Sequence, residues 1–484
     1  MTLADLWVSF PLVVLVGGTL ILMIGVSIVR THKLALGLTL LTLVLSLAAH
    51  DLALENIPAG GYELFGLLNV SGVQVFFNAL FLLGAIVTAL FAYPYFNERL
   101  ERCEEFYILL LTATAGAMVV AAATHFASFI LGLEILSISL YAMIAYPRQS
   151  HQPLEAAAKY LVLSAVASSA ILMGMALIYA ASGTMAFAEL TLSPESGERS
   201  YFLLGQALIC VGIAFKLSLV PFHMWTPDVY QGAPAVVTGY VATVSKGAVI
   251  ALLIRYVQAT DVLSYDGVFY AVVFVAVASM IVGNLLALLQ TNVKRLLAYS
   301  SIAHLGYLLI AVLVVNSARP ELVMETILLY VAAYFMITLA AFGIVNLTSE
   351  HETEDNEQLE AYTGLFWRNP LLASILTAVA LALAGIPLTV GFIAKFYVFA
   401  AGVEGAAWAL IWALLIGSAI GVFYYLRLIY TMVKEVQPGA TALPRIGTQS
   451  VVAVTVLGIL IVVLGVYPTP MIDMIRSIVQ ASGF

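Results

Sequence analysis

About fourteen stretches of this chain are apolar over the roughly 20 residues needed to cross a bilayer core, the first at 10–29 and the last at 451–467. A chain built this way has to satisfy its backbone hydrogen bonds within helices, because lipid tails offer no partners. The expected fold is an all-α polytopic membrane protein of about fourteen transmembrane helices. Hydrophobic residues make up 63% of the 484 and charged residues only 10%, far from the make-up of a soluble domain. The net charge of −8 therefore carries no argument for a nucleic-acid partner, since most of the surface faces lipid. Cys103 and Cys210 are too few to frame disulfides, an iron–sulfur cluster or a haem site. The first 29 residues hold an apolar run too long for a signal-peptide core and read as a retained helix.

An even number of crossings puts both termini on one side. Short cytoplasmic connections are enriched in Lys and Arg. The odd-numbered connections carry ten such residues (Arg30, Lys33, Arg99, Arg102, Arg148, Lys294, Arg295, Arg368, Lys434 and Arg445). The even ones, with the C-terminal tail, carry four (Arg199, Arg255, Arg319 and Arg476). That bias places both termini outside the cell. The connection 349–368 holds the acidic run HETEDNEQLE, which on its own reads as a solvated loop that aids solubility.

Charges inside the apolar runs single out one stretch. Residues 215–247, FKLSLVPFHMWTPDVYQGAPAVVTGYVATVSKG, place Lys216 and Lys246 on either side of a break marked by Pro and Gly. An ammonium at bilayer depth costs at least about 2.5–3.5 kcal/mol, so such a residue is a functional candidate by default. Pro221 is expected to leave the Leu217 carbonyl without its helical partner beside Lys216. Segments four to eight (105–260) and nine to thirteen (261–435) have similar lengths and a faint likeness. An offset of five crossings inverts the second copy. Residues 1–104 then form a three-helix N-terminal segment, and 436–484 hold the last helix. Inverted repeats place transport sites near midplane at broken helices, so the seventh break should have a counterpart in the twelfth segment. There AGIPLTVGFIAK sets Gly385, Pro387 and Gly391 close to Lys395.

Of nineteen basic residues, only Lys159, Lys216, Lys246 and Lys395 fall inside the spans away from their ends. A desolvated lysine can exchange its proton near neutrality, whereas arginine stays charged. Glu134 in the fifth segment is the acidic partner, able to alter proton affinity nearby, and His304 in the tenth can pass protons between lysines. The bland alternatives are snorkelling for Lys159, structural salt bridges for the deeper lysines, a static counter-ion for Glu134 and a helix-to-helix hydrogen bond for His304. His223 and Asp228 lack a third ligand at useful spacing, so no metal site is expected.

These residues carry a resemblance. FKLSLVPFHMWTPDVYQGAP, TNVKRLLAYSSIAHLGY and GIPLTVGFIAKFYVF resemble the antiporter-like subunits of respiratory complex I, the NADH:quinone oxidoreductase. TPDVYQGAP and Lys395 are closer to the N-type branch than to the M-type, which typically reads nearer LPDAHTEAP and usually has glutamate at the second place. The short tail disfavours the L-type. The resemblance implies a fourteen-helix proton-translocating module with broken seventh and twelfth helices. It implies a proton relay through Glu134, Lys159, Lys216, Lys246, His304 and Lys395, with the ionisable residue at His304 variable in the family. It further implies K-type and M-type neighbours in a bacterial inner membrane, with NADH, FMN, iron–sulfur clusters and quinone held by other subunits. A subunit of a multisubunit sodium/proton antiporter and a purely structural membrane subunit are the rival readings.

Overall fold

The computed structural model describes residues 2–58, 60–190, 199–316, 319–349, 355, 357–435 and 447–482. Apolar sequence with few helix breakers winds first into α1 (Leu3–Ile28) and α2 (His32–Leu54). A small hairpin follows, β1 (Tyr62–Leu64) antiparallel to β2 (Leu68–Val70). Next come α3 (Gly72–Arg99), α4 (Glu104–Ala122), α5 (Phe126–Ile144) and α6 (His151–Ser182). The seventh crossing is split into α7 (Arg199–Lys216) and α8 (Trp225–Gly232). The eighth is continuous from Ala235 to Thr260 but not uniform, with α9 (Ala235–Tyr240), a π-helical turn (Val241–Ser245) and α10 (Lys246–Thr260). Then come α11 (Asp266–Leu288), α12 (Val293–Leu313), α13 (Pro320–Thr348) and the single turn α14 (Leu365–Arg368). The twelfth crossing is split again, into α15 (Pro370–Ala384) and α16 (Val390–Glu404), before α17 (Trp408–Val433), α18 (Thr448–Val466) and α19 (Thr469–Ala481).

Among the described residues, twelve helices are long and apolar enough to cross a membrane. The two expected crossings missing from that set are the two that are broken. Both breaks use the same device. At the end of α7, Ser218 takes a left-handed conformation (φ 62°), its N–H donates to the Phe215 carbonyl, and the Leu219 N–H donates to Ala214. At the end of α15, Gly385 (φ 79°) donates to Ala382, and the Ile386 N–H donates to Leu381. These paired bonds are those of a Schellman turn. The expectation that Pro221 strips a helical bond from Leu217 is thereby corrected. The helix has already ended at Lys216, so Pro221 lies in the connection and interrupts no helical ladder. Pro387 likewise sits between the half-helices, and Thr389 caps the second by accepting from the Phe392 N–H at 3.4 Å. The half-helices cross closely at Gly391, where a Cβ would stand 2.0 Å from the Ala382 carbonyl oxygen.

Burial is uneven in a way that matters for the charges. The whole apolar window of α12 is enclosed, as is 94% of that in residues 235–260, against 22% for α1. The helices carrying His304 and Lys246 thus lie, with α13 (94%), at the centre of the bundle. The tail beyond the last crossing is the amphipathic helix α19, which buries Met471, Ile475 and Val479 at four-residue spacing.

Helix α3 links two faces. At its start, the Val73 N–H donates to Ser482 Oγ, and Tyr62 in the neighbouring hairpin donates to Asp5, so both described ends of the chain lie on one face. At its far end, Arg99 lies 3.8 Å from Asp355. Here the acidic connection departs from its solvated reading. The Asp355 side chain is only 2% exposed, 3.0 Å from Lys294, and accepts from Tyr95 Oη and from the Ala235 N–H at the start of α9. Glu357 accepts from Lys294, Asn292 and Gln231. The carboxylates are held because each meets cations and donors that the fold brings from remote helices. Glu352, Glu354 and the expected cytoplasmic Arg445 lie outside the described residues.

Candidate functional site

Lys216 is the last residue of α7, where the break opens. Its Nζ donates to Ser137 Oγ of α5 at 2.8 Å and to Ser164 Oγ of α6 at 2.6 Å, and Ser164 also accepts from Tyr141. Glu134 stands one helical turn from Ser137 and accepts from Ser168 Oγ at 2.6 Å. Among the described residues, no direct ion pair joins Glu134 to Lys216, whose acceptors are the two serines.

Lys246 follows the π turn directly. Its Nζ donates to Ser301 Oγ of α12 at 2.8 Å, and lies 5.3 Å from the centre of the Tyr230 ring. Ser301 in turn shares a 2.6 Å hydrogen bond with Tyr334 of α13. One turn along α12, His304 Nδ1 lies 2.8 Å from Tyr330 Oη, and its ring centre is 6.1 Å from that of Tyr334. Lys395, on α16, donates back across the break to the carbonyls of Leu383 (2.8 Å) and Ala384 (3.1 Å) and sits 5.2 Å from the Tyr307 ring. Lys216, Lys246, His304 and Lys395 thus form a buried band running from α7 to α16 through α12, with the half-buried Glu134 of α5 at its near end.

Lys159 is not part of that band. Its side chain is 44% exposed and pairs with Glu155 at 2.8 Å and Asp228 at 3.1 Å. Asp228 also receives Arg295 at 2.8 Å, on the same face as Lys294 and Asp355. That engagement turns Asp228 to cations, and no group able to hold a metal ion occurs among the described residues.

The band shows a chemical regularity. Among the described residues, Lys216, Lys246 and Lys395 donate to hydroxyls and carbonyls, and none lies within salt-bridge distance of a carboxylate. Lys159 and Lys294, near the membrane face, both have carboxylates. A lysine whose acceptors are neutral can release its proton without stranding a buried negative charge. Sequence reasoning missed Ser137, Ser164, Ser168, Ser301, Tyr330 and Tyr334. A signal was present, since Glu134 with Ser137, Ser164 with Ser168, Ser301 with His304, and Tyr330 with Tyr334 repeat at three or four residues. The π turn had no such signal.

Residues 123–421, which contain the whole band, match the family model described as the NADH:quinone oxidoreductase/Mrp antiporter membrane region. The chain belongs to the NADH:quinone oxidoreductase/Mrp antiporter family. Within that family it is 44% identical to the NADH-quinone oxidoreductase subunit N of Methylococcus capsulatus over 99% of this chain and 96% of that one. It also resembles a chain of respiratory complex I from Thermus thermophilus, solved with bound aureothin, at 32% identity and a TM-score of 0.81, covering 96% of this chain and 98% of the other. A chain of the Mrp complex from Dietzia sp. shares the fold, with a TM-score of 0.83 over the full length of both but only 19% identity. That likeness is one of fold.

Proposed function

We propose that this chain is the proton-translocating N-type membrane subunit of an NADH:quinone oxidoreductase. It moves protons along Glu134, Lys216, Lys246, His304 and Lys395, driven by quinone reduction elsewhere in the complex. The observation that carries this reading is the set of three enclosed lysines with neutral acceptors only. A structural salt bridge needs a carboxylate at each lysine, and a relay needs the opposite, a group able to be charged at one moment and neutral at the next. The two inverted units, 105–260 and 261–435, each supply one broken helix with its lysine. The ten-to-four bias of basic residues orients the Asp355 face to the cytoplasm and both termini to the outside of a bacterial inner membrane. K-type and M-type subunits flank the chain, and NADH, FMN, iron–sulfur clusters and quinone bind elsewhere. No redox centre is assigned to this chain. Lys159, paired and partly exposed, serves as an ion-pair anchor at the entry face.

Arginine at Lys246 tests the relay, because it keeps the charge and the donors but does not deprotonate. In vesicles reconstituted with the whole complex, Lys246→Arg should stop most proton pumping while the peripheral part still oxidises NADH. Pumping at the parental rate sinks the assignment. The Mrp likeness supports a second reading, a sodium/proton antiporter subunit. It predicts sodium-dependent proton movement without a redox partner, whereas the complex I reading predicts NADH-driven pumping indifferent to sodium.

A further inference from the structure

Arg255 lies on α10, five residues before its end, on the face where the two described ends of the chain meet. At 1.5 Å per residue this is ~7.5 Å inside the helix end, the depth of a membrane interface rather than of its core. Its Nε is sealed from solvent and has no hydrogen-bond partner, and among the described residues no ion pair or hydrogen bond reaches the guanidinium. Arg255 is only partly exposed, so its charge is incompletely hydrated unless an anion joins it, and arginine cannot escape by losing its proton.

Arg255 borders a half-open pocket of about 190 Å³, far above the roughly 10–15 Å³ that one water needs on the same measure. Among the described residues, no aspartate or glutamate lines it. The rest of its polar wall is supplied by Asn69, Ser71, Gln74, Gln258 and Ser482. Among the described residues the amides of Asn69 and Gln258 make no hydrogen bond, so their N–H groups are free to donate. Ser71 Oγ accepts from the Gln74 N–H at 3.4 Å and keeps its own proton to give. The wall therefore offers a fixed positive charge with a forked set of donors, ringed by neutral donors from β2, the start of α3 and the end of α10.

We propose that Arg255 and this ring form a binding site for a phosphate-type anion, supplied by a phospholipid headgroup or by free phosphate. A planar fork matches two oxygens of a tetrahedral oxyanion, and the surrounding amides and hydroxyl reach the others. The assignment does not depend on the proton-relay reading, because no relay residue touches the cavity.

The test uses the assembled complex, stripped of lipid in neutral detergent, with its thermal unfolding midpoint followed against three probes. These are phosphatidylglycerol, inorganic phosphate and sodium chloride at matched ionic strength. A rise with phosphatidylglycerol alone supports the site and names lipid as the source, while a rise with inorganic phosphate supports it with the free ion sufficient. Either gain should vanish in Arg255→Gln and survive in part in Arg255→Lys, which keeps charge but loses the fork. An equal rise with chloride, or no rise with any probe, overturns the proposal, the latter being what a neighbouring subunit's carboxylate on Arg255 produces. Should Arg255→Gln fail to assemble, Asn69→Leu with Gln258→Leu keeps the cation and removes the ring. It should weaken binding of the effective probe about tenfold or more, the scale of one lost charge-assisted hydrogen bond. Unchanged affinity in that double variant also overturns the proposal.

Discussion

The ammonium of Lys395 lies 2.8 Å from the carbonyl oxygen of Leu383, so the second half of a broken helix closes the open end of the first. A helix C-terminus presents about half a negative charge, which steadies a cation without fixing it as a carboxylate would. Lys395→Arg should leave the complex assembled and lower NADH-driven pumping by at least tenfold, and Lys395→Met should do the same. Proton uptake by dye quenching in vesicles checks this. An arginine variant that pumps normally while methionine does not would mark Lys395 as a fixed charge.

Glu134 accepts from Ser168 one turn along α6 from Ser164, and Ser164 accepts from Lys216, so we expect the two charges to be coupled. Glu134→Gln and Lys216→Met should each cut pumping sharply. Combined, they should lose less than the product of the two single losses, as coupled sites do. Measured rates that multiply without interaction would show that the residues do not communicate.

Asp355→Asn tests the buried clasp. Burial alone would raise the Asp355 carboxyl, but the Lys294 ammonium and the Arg99 guanidinium outweigh it and hold the group below its ordinary value of 3.8. A carboxyl depressed in the folded state stabilises above its unfolded value and ceases to do so as pH falls through the folded one. The variant should be less stable by about 3 kcal/mol at neutral pH, the low end for breaking a buried ion pair, because Glu357 still faces Lys294. Thermal midpoints of the two proteins should converge only below about pH 4.

Lys159→Ala should behave differently from the enclosed lysines. Its ion pairs are partly exposed, where such pairs contribute about 0–1 kcal/mol. We expect assembly and pumping close to the parental rate. A loss as large as that of Lys246→Arg would move Lys159 into the proton path.

Lys216, Lys246 and Lys395 were readable in the sequence because a charge in an apolar run has few innocent explanations, and Pro and Gly punctuate the breaks beside two of them. The hydroxyls that hold these ammonium groups were not, since serine and tyrosine are tolerated anywhere in a membrane helix and reveal their role only when two helices meet. Asp355 was misjudged for a related reason. Its partners Lys294, Tyr95 and Ala235 lie 61, 260 and 120 residues away, so no local pattern distinguishes it from the solvated acids of the same run. Even the Pro221 break was found for an incomplete reason, as the left-handed turn at Ser218 ends the helix first.

The π-helical turn at Val241–Ser245 decides the aim of the residue after it. Such a turn holds one residue more than its α-helical equivalent, so everything beyond it is rotated by about 100° from where an unbroken α-helix would put it. Lys246 faces Ser301 and not another side of the helix because of that single surplus residue. Deleting one residue within 241–245 would leave every member of the lysine set in the polypeptide yet swing this one out of line. The wide turn is the setting of a bearing, and a chain can carry the right groups and still be misdirected.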